Sequence, residues 1–323
     1  MTNAQPKRVV SLITSATEIV CALGASDLLV GCSHECDYPP DVARLPFLTE
    51  PKFPVTGTSY DIDARVKAIL QEGLSVYRVD AEKLQALRPD IIVTQDHCEV
   101  CAVGLKDVEA ALCGWSGRQV EIVSLKPDAL ADIWEDITKV ARALGHERRG
   151  ERLIEQLKAC MASIAEQSGT ARTRPRVAMI EWIDPLMAAG SWMPELVQMA
   201  RGENLFGAAG HPSPGLDWGQ LVVADPDLIL VHPCGFDMAR TLREMPLLEQ
   251  RPGWGELKAF QCDRIFVADG NQYFNRPGPR IVESLEILAE LFHPEIFPSR
   301  YEGKGWMRYR PSQESLARAA AQG

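Results

Sequence analysis

Three short segments of this chain gather the side chains best suited to hold a metal ion or do covalent chemistry. His97, Cys98 and Cys101 stand in residues 95–101, where the Cys98-x-x-Cys101 spacing lets two thiolates reach one ion. His34 and Cys36 stand in residues 33–40, and His232 and Cys234 flank Pro233. Imidazole and thiolate are borderline and soft ligands, so a convergent set suits Zn²⁺, Fe or the metal of a chelate. One histidine could equally ligate the cobalt or iron of a bound tetrapyrrole from below. Two other readings compete: polar residues that only shape their loops, and a redox thiol pair, since Cys98 at the start of a helix would be acidified. The intervening Glu99-Val100 is unlike a thioredoxin-type motif. There is no Gly-rich phosphate loop, no G-x-S-x-G elbow and no set of nucleophile, base and orienting group. Ser15 or Thr17 reads as a helix N-cap with Glu18 in the first turn. Cys21, Cys113, Cys160 and Cys262, part of an odd total of nine cysteines, read as buried, inert thiols.

Apolar runs place these segments. Residues 9–13, 28–32, 91–94, 119–124, 176–180, 228–232 and 265–268 read as strands, and the candidate ligands follow the second, third and sixth of them. Adjacent Pro39 and Pro40 make residues 33–40 a loop. Ile62, Val66, Ile69 and Leu70 share one side of a helix over 62–72, and residues 80–90 form a short helix closed by Pro89. Arg88-Pro89-Asp90 before one strand is echoed by Asp225-Pro226-Asp227 before another. Such alternation is the pattern of βαβ units around parallel sheets. From 128 to about 167 the period is helical, with Ile133, Ile137, Val140 and Leu144 in one apolar stripe. The expected fold is therefore α/β, with parallel-sheet lobes at 8–125 and 171–293 facing each other across a cleft. A connecting helix spans 126–170, and a tail at 294–323 packs loosely. Open α/β sheets bind ligands beyond their strand carboxyl ends, so all three His/Cys loops would point into that cleft.

Composition narrows the classes. With 34 basic and 44 acidic residues among 323, the net charge is −10, which argues against non-specific nucleic-acid binding and against an anionic membrane surface. At 46% apolar the chain can bury a sizeable core, and it has no apolar run long enough for a membrane span. Residues 1–8 lead straight into the first strand without a secretory pattern, which predicts a cytoplasmic location. The acidic surface and paired lobes are compatible with a monomer.

Residues 9–25, the Asp-Tyr-Pro-Pro turn at 37–40, residues 81–93 and the closing 276–288 together resemble the periplasmic-binding-protein family of iron–siderophore and vitamin B12 carriers, most closely its B12-binding branch. The resemblance runs from about residue 8 to 292. It implies two Rossmann-like lobes joined by a long backbone helix, a rather rigid hinge and a ligand in the cleft. Members hand their ligand to a membrane transporter and dock through one surface glutamate on each lobe. The first such position falls on Glu82 and the second near Gly219, which carries no charge, so docking to a transporter is not expected to be retained. The resemblance also makes Trp182 and Trp218 candidate aromatic contacts, large flat faces for a large flat ligand. It brings the loop at 269–280 to the cleft, where Tyr273, Phe274 and Asn275 could touch ligand and Arg276 an acidic substituent. Arg280 reads as an anchor of the last helix. Compared with the B12 carriers, a longer stretch separates the Asp-Tyr-Pro-Pro turn from Glu82, and its added helix would narrow the entrance.

The reading is a non-catalytic binding protein that takes a metal-containing small molecule, cobalamin or another metal chelate, between tryptophan walls. Its contacts are Trp182, Trp218, Tyr273, Phe274, Arg276 and His34, with His97, Cys98, Cys101, His232, Cys234 and Cys36 toward the metal. The alternative is a cytoplasmic enzyme or sensor holding Zn or Fe directly, with His97, Cys98, Glu99, Cys101 and His232 as its active set. A regulator that changes partner on ligand binding would look the same in sequence.

Overall fold

The computed structural model describes residues 6–72, 74–96, 103–112 and 119–311. The first lobe runs β1 (Val9–Ser11), α1 (Thr14–Ala22), β2 (Leu29–Cys32), β3 (Thr49–Pro51), α2 (Ser59–Gln71), β4 (Tyr77–Val79), α3 (Ala81–Leu87), β5 (Ile91–Gln95), α4 (Leu105–Leu112) and β6 (Glu121–Leu125). Its main sheet has the order β2-β1-β5-β6, all parallel, while β3 and β4 form an antiparallel ribbon beside it. Burial on both faces explains why these strands read as unbroken apolar runs.

The connector is two helices, α5 (Leu130–Leu144) and α6 (Glu147–Gly169). Gly145, in the left-handed region at φ 73, caps the first and turns the chain into the second. The stripe Ile133, Ile137, Val140 and Leu144 is buried, and one apolar core continues from it into both lobes, from Val9 to Val177 and Leu288. Each such side chain contributes about 1.5–3 kcal/mol. Cys160 lies exposed on α6 and Cys262 is exposed as well, so the expectation of burial fails for both. An apolar thiol is tolerated on a surface as any single hydrophobe is.

The second lobe runs β7 (Arg176–Trp182), β8 (Met187–Ala188), α7 (Met193–Met199), β9 (Glu203–Asn204), α8 (Trp218–Ala224), β10 (Leu228–Val231), α9 (Met238–Glu244), α10 (Pro246–Glu249), α11 (Lys258–Gln261), β11 (Ile265–Ala268), α12 (Ile281–Phe292) and β12 (Trp306–Arg308). Strands β11, β10 and β7 are parallel, with antiparallel β12 and β8 at the ends and β9 pairing beside β7. The two lobes are the bilobed α/β arrangement expected. The described part of the tail, residues 294–311, is packed against the second lobe. Trp306–Arg308 adds a strand to β11, and the buried Trp306 donates its indole N–H to Glu290 at 2.9 Å. Three residues are too few to show a period, so this strand was invisible before the sheet existed. Among the described residues no helix is long and apolar enough to cross a membrane.

Candidate functional site

Both lobes turn loops toward each other, and two bridges join them. The first begins at α2. Thr58 caps this helix by accepting from the Asp61 N–H, and Asp61 accepts from the Thr58 N–H in return. The free N–H of Ser59 then donates across the cleft to Glu244 at 2.9 Å, and Arg240 donates to the Gly57 carbonyl at 3.2 Å. Arg240 lies 3.8 Å over the ring of Phe236, which sits 5.1 Å from Trp182. The added helix thus fixes one wall of the cleft through Arg240 and Phe236 onto Trp182. The Trp182 indole N–H is satisfied by the Asp184 carbonyl at 3.1 Å, which leaves its flat ring half-exposed.

The second bridge is ionic. Arg276 donates to Glu18 at 3.1 Å and to Asp37 at 2.6 Å, while Asn271 and Gln272 donate to the other Asp37 oxygen at 3.0 and 2.6 Å. Arg280 lies 3.7 Å from Glu18, pairs with Glu283 and accepts packing from Tyr38 and Tyr273, 4.0 and 4.8 Å from its guanidinium. Burial pushes the Glu18 carboxyl up to about 7 even with both arginines beside it. Burial alone would lower Arg276, but Asp37 and Glu18 hold it above its ordinary value. Neither Ser15 nor Thr17 is the expected N-cap: that position is Ile13, which makes no side-chain bond, and Glu18 lies in the middle of α1 rather than in its first turn. Arg276, expected on a ligand, is spent on this lock in the structure described.

The remaining candidates divide. His34 shares a 2.7 Å hydrogen bond with the Thr49 hydroxyl, lies 5.8 Å from Tyr77, and has its pKa lowered by burial. Beside it, Glu35 meets the Tyr77 hydroxyl at 3.4 Å and is pushed up to about 7 by burial. Tyr273 is half-buried against Tyr301. Phe274 is fully buried with its ring 4.9 Å from His232, which is itself fully buried and pushed down to about 3 by desolvation. Among the described residues neither ring nitrogen of His232 has a hydrogen-bond partner. Gly270 explains how closely this loop packs: a Cβ there would fall 2.1 Å from the Pro233 carbonyl. Cys36 turns its sulfur into the first lobe, 3.1 Å from the Thr17 hydroxyl. The partners of Trp218 are Trp254, Pro252 and Arg251, apart from both bridges. His97, Cys98 and Cys101 lie outside the described residues, as does Glu99. Among the described residues no three His, Cys, Asp or Glu side chains converge to hold a metal ion, so His34, Cys36, His232 and Cys234 do not assemble one by themselves.

Glu181, missed in sequence, ends the same strand as Trp182. Its carboxyl accepts from the Ser213 hydroxyl at 2.8 Å and is pushed up to about 7 by burial. The register of β7 with β10 runs to Ile180 opposite Val231, so Glu181 and His232 each follow the last paired residue of their strands. Glutamate before tryptophan at a strand end was the one available signal, and burial decides its chemistry.

Two α/β lobes with parallel sheets, a two-helix connector and paired bridges between the lobes define a bilobed α/β fold with an interlobe cleft. The match of residues 9–271 to the model for the periplasmic binding protein family shows that the chain belongs to that family. It is similar to the uncharacterized ABC transporter substrate-binding lipoprotein YvrC of Bacillus subtilis (strain 168), 23% identical and covering 91% of this chain and 82% of that protein. It is also similar to the vitamin B12-binding protein of Vibrio parahaemolyticus serotype O3:K6, 22% identical over 90% of this chain and 91% of that one. A periplasmic heme-binding protein from Pseudomonas aeruginosa shares the fold at a TM-score of 0.68, with 22% identity over 95% of this chain and all of that one.

These findings overturn two expectations. The cytoplasmic placement conflicts with membership of a family of periplasmic proteins, and the stretch before β1 carries no weight against it. The expected loss of transporter docking conflicts with kinship to ABC transporter substrate-binding proteins. An uncharged Gly219 removes one contact from one lobe, whereas Glu82 stands exposed near the start of α3 on the other.

Proposed function

We propose that the chain is the periplasmic ligand carrier of an ABC transporter, taking a metal-bearing macrocycle or chelate of the heme, cobalamin or iron–siderophore class between its lobes and releasing it unchanged. The observation that carries this reading is the Trp182 ring, half-buried at the end of β7 and packed on Phe236, over which Arg240 lies as it reaches Gly57 of the other lobe. A held aromatic face offers packing without the entropic penalty of ordering it. His34, Tyr273 and Trp218 are proposed as further contacts, and Cys234 adjoins Glu181 through its backbone N–H. His97, Cys98 and Cys101 are proposed as metal-side contacts from their place after β5. Glu82 is the proposed docking residue of the first lobe. The vitamin B12-binding relatives and the heme-binding structural neighbours support the ligand class.

Hemin, cyanocobalamin and a ferric hydroxamate siderophore, each titrated into the protein and followed by visible absorbance, test it. At least one is expected to saturate with a Kd below about 1 μM, equivalent to roughly 8 kcal/mol. Trp182→Ala is expected to weaken that ligand about tenfold, or ~1.4 kcal/mol. Failure of all three to bind at about 100-fold higher concentration, ~2.7 kcal/mol weaker, overturns the ligand class.

A further inference from the structure

We infer, on the reading of the interlobe cleft as a ligand site, that residues 54–71 form a lid latched to the second lobe by Glu244 and Arg240, and that this latch sets how fast ligand enters and leaves. The lid is one piece. Gly57, at φ 102, turns the chain into α2, and Arg65 reaches back from the helix to the Pro54 and Thr56 carbonyls at 2.8 and 2.5 Å. Yet α2 has little hold on its own lobe. Of its thirteen residues only Ser59 is fully buried, and Tyr60 beside it is 59% exposed. A helix that buries so little apolar surface draws its stability from other contacts and belongs to the low-stability end of a fold.

The second lobe supplies those contacts. Asp237 caps α9 by accepting from the Arg240 N–H at 2.7 Å, and the helix then carries Arg240 and Glu244 four residues apart, on one face. The pair is complementary to the start of the lid. Glu244, 7% exposed, accepts from the Ser59 N–H at 2.9 Å, where the positive end of a helix favours a carboxylate. Arg240 donates at 3.2 Å to the carbonyl of Gly57, one residue before the Thr58 cap. The same arginine lies over Phe236, and Phe236 packs on Trp182. A similar contact elsewhere shows what makes this one a latch. Glu195 of the second lobe accepts from the Leu130 N–H at 2.8 Å at the start of α5, but α5 buries Ile133, Ile137, Val140 and Leu144, so that joint is fixed. The other bridge is rooted just as firmly, because Glu18 lies in α1, which is buried along most of its length. Only the α2 side of the latch can leave without breaking a core. Lid opening of this kind commonly governs ligand exchange.

Hydrogen exchange on the full chain tests the latch without any ligand. In Glu244→Ala the amides of residues 59–71 are expected to exchange about tenfold faster than in the parent, with α5 and α12 unchanged. Glu244→Gln, which keeps an acceptor without the charge, is expected to fall between the two. Hemin, cyanocobalamin or the ferric hydroxamate, whichever binds the parent, then reports on the lid by stopped-flow absorbance. In Glu244→Ala entry and release are both expected to quicken about tenfold while Kd stays within about threefold, a split that a merely structural contact does not give. Arg240→Ala also strips Phe236, so there release is expected to quicken more than entry and Kd to weaken about fivefold. Unchanged exchange across residues 59–71 in Glu244→Ala overturns the latch, as does faster exchange shared equally by α5 and α12. Faster exchange in α2 with both ligand rates unchanged overturns the lid. If none of the three ligands binds, the proposed ligand class falls, and the exchange rates still decide the latch.

Discussion

Arg276→Ala is expected to destabilise the folded protein by about 3–5 kcal/mol at pH 8, because it strips a buried carboxylate of its nearest counter-charge. Glu18 is 3% exposed and Arg276 4%, and the two meet at 3.1 Å across the lobe boundary. Arg280 reaches the same carboxylate from 3.7 Å, so part of the attraction survives the substitution. Asp37 has its side chain 39% exposed and can turn to water, so it adds little to the penalty. The loss is pH-dependent with a definite sign. Burial raises the folded-state value of Glu18 to about 7, above the ordinary 4.5, so the folded protein holds a proton that the unfolded chain releases. That contribution is complete below about 4.5 and disappears as pH rises through 7. In the variant the carboxyl rises further, so the penalty is largest above pH 7 and shrinks toward pH 5. Urea denaturation of both proteins at pH 5.5 and 8 measures it. Solution scattering is expected to show a larger radius of gyration for the variant, since the same residue ties the loops together. A variant within about 1 kcal/mol of the parent at pH 8, the worth of an exposed pair, would mean that the bridge is open to solvent.

What the sequence revealed and what it hid follow one physical divide. The strands, the buried stripe of α5 and the repeated Pro-Asp signal are local. In the structure Asp90 accepts from the Arg8 N–H at 2.8 Å and Asp227 from the Arg176 N–H at 2.8 Å, so each lobe joins its first strand to a neighbour by the same device. Arg88 and Asp225, the left-handed caps before those prolines, repeat it too, at φ 47 and 43. The Glu18–Arg276 bridge spans 258 positions, and nothing near either residue announces the other. Glu35 and Glu181 sat beside residues that drew attention for their own chemistry, yet a carboxyl becomes unusual only once a fold buries it. Cys36 sits in the expected loop, but its sulfur meets the Thr17 hydroxyl inside the first lobe instead of the cleft. Periodicity places a loop at a strand end; it does not say which of the loop's side chains turn outward.

Glu181→Gln is expected to stabilise the ligand-free protein by about 3 kcal/mol above pH 7, the free energy of moving a carboxyl from 4.5 to about 7. The groups that reach this carboxyl are the Ser213 hydroxyl and the Gly190 N–H, neutral donors that offset burial only in part. The buried imidazole of His232 is pushed down to about 3 by desolvation, so it lends no positive charge. The folded form therefore binds a proton more tightly than the unfolded chain does. Stability from this group is full below pH 4.5 and lost as pH rises through 7. Glutamine keeps the hydrogen-bonding shape without the charge, so the curves of parent and variant should meet near pH 4.5 and separate steadily above it. Urea midpoints taken at intervals from pH 4.5 to 9 trace the difference. The same burial makes Glu181 a place where a ligand's metal or cationic group would be welcomed, and such a ligand should release a proton when it binds at pH 6. A glutamine variant that is less stable at every pH would show that a positive charge already sits beside Glu181 in the protein, and the cleft would then have to be read as occupied by the chain's own cation.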